Sequence, residues 1–162
     1  MKRIDKNNYY LDIAEAALER STCLRRKWGA VIVKDDEIIS TGYNGAPRGR
    51  KNCTDIGTCI REELNIPRGE RYELCRSVHA EQNAIISASR SDMIGATLYE
   101  VGVDAKTNEY VKNSMPCAMC KRFIINSGIT KMVFRDSKEK YREIMVSELI
   151  ENDDSLNGTK GY

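Results

Sequence analysis

One histidine and six cysteines are the side chains of this 162-residue sequence best suited to chemistry. A single imidazole, His79, excludes any mechanism that needs two histidines. A serine–histidine–acid hydrolase has no Gly-x-Ser-x-Gly elbow to support it. His79 stands in His79-Ala80-Glu81, and two of the cysteines stand in Pro116-Cys117-Ala118-Met119-Cys120. Neither piece is specific alone. A histidine is commonly structural, a first-turn acid complements a helix dipole, and Cys-x-x-Cys serves zinc, thiol redox or nothing. A redox pair, however, has no need of His-x-Glu on another helix. Taken together, His79, Cys117 and Cys120 supply three zinc ligands, and Glu81 supplies an acid that is not a ligand. Two thiolates and a neutral imidazole balance Zn²⁺ and leave a fourth position for water, whose pKa zinc brings toward about 7.

This combination is the signature of zinc nucleobase deaminases. Cys117 and Cys120, at i and i+3, share one helix face, and a helix N-terminus favours their thiolates. Glu81 is the expected proton carrier. It takes a proton from the attacking water, passes it to N3 of a cytosine-like ring, and returns one to the departing ammonia.

The elements that position these groups are legible from periodicity. Tyr10, Ile13, Ala14, Ala17 and Leu18 mark a helix over about residues 8–20. Ala30–Val33 and Ile38–Thr41 read as a hairpin around the polar turn Lys34–Glu37. From Gly42 a stretch without clear periodicity follows, far longer than the about 12–15 residues usual for such loops unless functional or tied down. A helix over residues 78–89 carries His79 and Glu81, and Thr97–Val101 reads as a strand. Asp104–Asn108 reads as a turn that leads back through Tyr110-Val111. Pro116 opens a helix that Gly128 closes, Lys131–Phe134 is a strand, and Glu139–Glu151 reads as a terminal amphipathic helix. A sheet covered by helices is implied, with residues 1–151 as one domain and 152–162 as a polar tail.

Composition narrows the setting. Hydrophobic residues are 41% and charged residues 31%, ordinary for a globular chain. No stretch is apolar enough for a membrane helix or a signal peptide, so a cytoplasmic protein without a membrane partner is expected. The net charge is only +2 and aromatics are 7%, which argues against a stable nucleic-acid partner. Residues 20–76 carry 12 Lys/Arg against 8 Asp/Glu, an excess suited to a small anionic ligand or simply to a solvated surface. Four more thiols, Cys23, Cys53, Cys59 and Cys75, surround or occupy the long irregular stretch. A second, structural zinc held by these four is expected. Buried free thiols or a partial disulfide are the alternatives, since the short Cys-x₂₋₄-Cys spacing of structural sites is missing.

The chain resembles the deoxycytidylate (dCMP) deaminase family of the zinc-dependent cytidine deaminase superfamily. Besides the two ligand motifs, the resemblance rests on Gly29-Ala30-Val31-Ile32, Thr41-Gly42-Tyr43-Asn44-Gly45-Ala46-Pro47 and Gln82-Asn83-Ala84-Ile85. It implies an α/β fold, a three-layer α/β/α sandwich around a five-stranded mixed sheet. It also implies zinc-dependent hydrolysis of dCMP to dUMP, a homo-oligomer, and dCTP and dTTP as effectors. By family position, Asn44 is expected to contact the substrate sugar and Arg90, at the end of the His79 helix, the 5′-phosphate. Cys23 and Cys53 match ligand positions of a second zinc that some members carry. The segment Glu100–Met115 is longer than its counterpart in the family, which changes the rim of the substrate pocket. The other functions considered are a cytidine or deoxycytidine deaminase, a tRNA or single-strand nucleic-acid deaminase, and a non-catalytic zinc-stapled nucleic-acid module.

Overall fold

A computed structural model describes residues 1–156; the expected tail therefore lies mostly outside the described residues. The first helix, α1 (Lys6–Leu18), is capped by Asp5, whose side chain accepts from the Asn8 amide. Strands β1 (Arg26–Lys34) and β2 (Glu37–Tyr43) form the expected hairpin, extended at both ends. The irregular stretch is broken only by two single-turn helices, α2 (Cys53–Ile56) and α3 (Ile60–Glu63), and a 3₁₀ turn at Tyr72–Leu74. Then come α4 (Ala80–Ile86), α5 (Arg90–Met93), β3 (Thr97–Asp104) and α6 (Ala118–Ser127). The chain continues through β4 (Lys131–Arg135), β5 (Tyr141–Met145) and α7 (Val146–Glu151) to a 3₁₀ turn at Asp154–Leu156.

The sheet is mixed and five-stranded, in the order β2-β1-β3-β4-β5, with only β3 and β4 parallel. Strand alternation sorts the core into two layers. Val31, Val33, Tyr99, Val101 and Val133 pack under α1 against Tyr10, Leu11, Ala14 and Leu18. Ala30, Ile32, Leu98, Met132 and Phe134 face the other side, where Ala80, Ala84, Cys120 and Ile124 of α4 and α6 cover them. The three-layer α/β/α sandwich expected from the resemblance is the observed architecture.

Helices seat on this sheet backbone to backbone. A Cβ placed on Gly42 of β2 would stand 2.3 Å from the Ala80 carbonyl oxygen and 2.5 Å from the Ala84 nitrogen of α4. On the opposite face, a Cβ on Gly29 would stand 2.0 Å from the Ala14 carbonyl oxygen of α1. Ser40 Oγ donates to the Ala84 carbonyl at 2.7 Å, and Asn83 Nδ2 donates to the Tyr43 carbonyl at 2.7 Å. Helix α4 is thereby pinned to the hairpin.

Three expectations need correction. The terminal helix over 139–151 is half strand: Tyr141–Met145 pairs antiparallel with β4, and only Val146–Glu151 is helical. The exposed edge of β4 outweighs the local helical pattern, and Arg142 and Glu143 make the new edge polar. The helix expected over 78–89 is two helices, because α4 ends at Ile86 and Ser89 caps a new one by accepting from the Asp92 amide at 3.2 Å. Pro116 precedes α6 rather than opening it; Cys117 is the cap, while Gly128 closes the helix with φ of 88° as expected.

Candidate active site

The N-termini of α4 and α6 meet over one face of the sheet. His79 caps α4, and its backbone amide donates to Gln82 Oε1 at 2.9 Å. Cys117 caps α6, with its sulfur accepting from the Cys120 amide at 3.5 Å. His79 Nδ1 lies 3.5 Å from Cys117 Sγ and 3.3 Å from Cys120 Sγ. The three ligand atoms all lie within 4.8 Å of one another, and they form the tight ligand cluster found among the described residues. Two thiols and an imidazole nitrogen converging on one point, with an acid beside them, fit zinc with an open coordination position.

Charge is already organised for it. The Cys117 thiol is pushed down to about 4, first by its hydrogen bond with Cys120 and then by His79, against burial. Cys120 moves up in return, because the neighbouring thiolate and burial both oppose a second negative charge. Burial works to lower His79, but the Cys117 sulfur and the Glu81 charge outweigh it and leave the imidazole raised. The ring is also held mechanically. Tyr72 meets it edge-on at 5.1 Å, and the Arg61 guanidinium lies 4.5 Å from the Tyr72 ring centroid. Arg61 Nη2 in turn donates to the Pro67 and Glu70 carbonyls at 2.9 and 2.7 Å. The long stretch without periodicity is thus a folded plate against a ligating ring.

Glu81 lies in the first turn of α4 and is buried. It faces a second carboxyl that the sequence reading passed over, Glu100 in the middle of β3. Glu100 is 3% exposed, and burial, then the charge of nearby Glu81, holds its carboxyl well above the usual range. An acid in the otherwise apolar run Thr97–Val103 was the available signal.

These groups line a cavity of about 330 Å³, within the range of small-molecule sites. Trp28, Asn44, Ser114, Met115, Arg26 and Arg68 also contribute to its wall. Ser114 and Met115 come from the long β3–α6 connection, whose turn closes on β3 through a Val103–Tyr110 bridge. The Ser114 carbonyl accepts from Arg142 Nη2 at 2.9 Å, and Asp136 accepts from the Asn113 amide at 2.9 Å. Arg26 makes no ion pair among the described residues; burial, then the charges of Arg68 and Arg25, hold its guanidinium below the usual range. The basic excess over residues 20–76 pointed to such cations, but not to which of them reach the cavity wall.

Asn44 is buried in this wall with a non-positive φ. Its Oδ1 accepts from the Trp28 amide at 2.9 Å and from Ser21 Oγ at 2.5 Å, and its Nδ2 donates to the Arg26 carbonyl at 2.9 Å. One Nδ2 hydrogen is left for a ligand. Arg90 is placed otherwise than expected: it begins α5, donates through Nε to the Asn126 carbonyl at 3.0 Å, and is not among the cavity residues. Cys23, Cys53, Cys59 and Cys75 all line the cavity, and Cys53 is raised by burial, then by Cys23, Cys75 and Cys59. The Arg25 and Ser77 amides donate to Cys23 and Cys75 sulfurs, each at 3.4 Å. The four thiols do not, however, close into a cluster as tight as the first one.

Residues 4–136 match the family model of the cytidine and deoxycytidylate deaminase zinc-binding region. Deoxycytidylate deaminase of Mycobacterium phage D29 is 42% identical over 139 residues, covering 83% of this chain and 97% of that protein. The Saccharomyces cerevisiae deoxycytidylate deaminase is 35% identical over 81% of this chain, which spans 38% of the yeast protein. Among solved structures, the dCMP deaminase of cyanophage S-TIM5 in complex with dCMP and dUMP superposes with a TM-score of 0.58 at 26% identity, covering 83% of this chain and 84% of that one. A ligand triad and a buried acid on two helix caps, carried by this sheet and matched over most of the chain, place the protein in the cytidine and deoxycytidylate deaminase family.

Proposed function

We propose that this chain hydrolyses deoxycytidine 5′-monophosphate to dUMP and ammonia, with residues 1–151 acting as one catalytic unit. The observation that carries the reading is the convergence of His79, Cys117 and Cys120 on one point beside buried Glu81. Zinc held by these three residues supplies, when bound, a water acidic enough to attack at neutral pH. Glu81 takes one proton from that water and delivers it to ring N3 as oxygen adds to C4. The same carboxylate then takes the proton of the hydroxyl added at C4 and delivers it to the amino group as the C4–N4 bond breaks, leaving the C4 carbonyl and neutral ammonia. Both transfers use one acid, which accords with a chain that has a single histidine.

A monophosphate is favoured over a nucleoside by Arg26 and Arg68 in the cavity wall, neither of which is paired with a carboxylate among the described residues. Asn44, with one amide hydrogen left over, suits the sugar hydroxyl. The deciding assay measures ammonia release from dCMP, deoxycytidine, cytidine and an oligodeoxynucleotide, with and without a chelator. Release from dCMP far above the others, abolished by chelation, is expected. Preference for the oligonucleotide or a nucleoside moves the protein to a sister class, and no release from any substrate by the zinc-loaded protein removes catalysis altogether.

The reading includes a second, structural zinc at Cys23, Cys53, Cys59 and Cys75. Its support is the three thiols that act on Cys53 and the backbone amides aimed at two of the sulfurs, as around ligating thiolates. Elemental analysis should find two zinc per chain, falling to one in Cys59→Ser; one zinc in the native protein refutes the site. All six cysteines are free, which suits the reducing cytosol we assign to the protein. Exposed Ile86 on α4 and Phe123 on α6 support a homo-oligomer.

A further inference from the structure

The second buried acid has no part in the mechanism above. In β3, Glu100 is paired across the sheet with Ala30 on one side and Phe134 on the other. It shares its face with Leu98, Ile32 and Met132, all fully buried and apolar. Its Oε2 is buried with no hydrogen-bond partner, and its carboxyl shares the cavity wall with Glu81. For stability alone this is a poor choice. A buried carboxyl with an unsatisfied oxygen costs free energy that an apolar side chain of similar shape does not. A residue that weakens the fold at the wall of the reaction cavity is the kind that is kept for function.

The geometry points to a positioning role: we propose that Glu100 hydrogen-bonds one oxygen of Glu81 and thereby fixes the Glu81 carboxyl with its other oxygen toward the reacting ring. Glu81 is the only group assigned to carry protons to two different atoms, N3 and the leaving nitrogen. Both transfers require it within hydrogen-bond reach of its target, so a freely rotating carboxyl spends time misdirected. A bond from β3, the central strand of the sheet, anchors it to the middle of the fold. A carboxyl buried among apolar side chains stays neutral, so Glu100 is the donor and Glu81 the acceptor. An amide at position 100 can also donate to Glu81, and this separates positioning by a hydrogen bond from any need for a second ionisable group.

The inference rests on the deaminase reading, and native turnover of dCMP, measured first, tests that reading by itself. Glu100→Val and Glu100→Gln are then compared with the native enzyme for kcat, KM, zinc content and thermal midpoint. Glu100→Val should lower kcat by about 10- to 100-fold, the scale of a misplaced catalytic group, with KM nearly unchanged. It should also keep its zinc and show an unchanged or raised midpoint. Glu100→Gln should retain most of kcat. Native kcat in Glu100→Val overturns the proposal. So does a loss accompanied by lower zinc content or a lower midpoint, which marks Glu100 as structural, and so does an equal loss in Glu100→Gln.

Discussion

Glu81 and Glu100 are the same side chain in two settings, one on a helix turn beside the ligands and one inside the sheet. Their neighbours decide which carries protons. Glu81→Gln keeps the shape and the hydrogen bonds but cannot accept a proton. It should bind zinc normally and lose about 10²- to 10⁴-fold in kcat, read by elemental analysis beside steady-state kinetics. At the rim, Arg26→Ala should raise KM for dCMP far more than for deoxycytidine, because only the former carries the phosphate. Arg90→Ala should alter both substrates alike, since Arg90 is bonded to the end of α6 and stands outside the cavity. A phosphate-selective loss in Arg90→Ala would reverse this assignment. His79, Glu81, Cys117 and Cys120 could be read from the sequence because each pair lies within one helical turn, where spacing alone sets proximity. Glu100 could not, since it is strand register that brings it beneath a residue on another element.

Among the elements, α4 has the least freedom. Its backbone meets Gly42, Ser40 of β2 bonds its Ala84 carbonyl, and its own Asn83 bonds the Tyr43 carbonyl. Gly42→Ala must push α4 off the hairpin, carrying His79 and Glu81 with it. We expect loss of both thermal stability and zinc affinity, read by thermal melting and by zinc titration. On the other face, α1 is held by a buried arginine. Arg135 of β4, without side-chain exposure, donates to Asp12 at 2.8 Å and to Glu15 at 2.5 Å. Replacing both acids leaves that charge unpaired, and a cost of about 3–5 kcal/mol is expected by chemical denaturation. Helix α1 was legible from its apolar spacing, and α6 from the Gly128 that closes it. Strand β5 was not, for its residues fit a helix locally and only the open edge of β4 makes them a strand.

For the whole molecule, the same α1 cluster gives stability a dependence on pH. Burial works to raise Asp12, but hydrogen bonds from Arg135 and Lys138 outweigh it and leave its carboxyl below 3.8. A depressed acid stabilises the fold above its unfolded value, and that contribution disappears as the pH falls through the folded one. The thermal midpoint should therefore drop between pH 5 and pH 3, and drop less in Asp12→Asn, which has nothing to titrate there. An identical pH profile in the variant would exclude Asp12 as a source of acid sensitivity. The overall layering was legible from the order of helices and strands and from the resemblance to the deaminase family. The loop plate was not, because Arg61 and Tyr72 support His79 through contacts that follow no period.

The two glycine seats have an evolutionary consequence. Where helix and sheet touch through main chain, the distance between them does not depend on the volume of the side chains around the contact. Drift in the core should therefore alter how firmly the protein folds while leaving turnover alone. Ile32→Val, at a fully buried position on the site's face of the sheet, should lose about 0.5–1.5 kcal/mol of stability and keep its kcat. Such a scaffold can exchange most of its interior for other apolar residues and still present the same four groups in the same place.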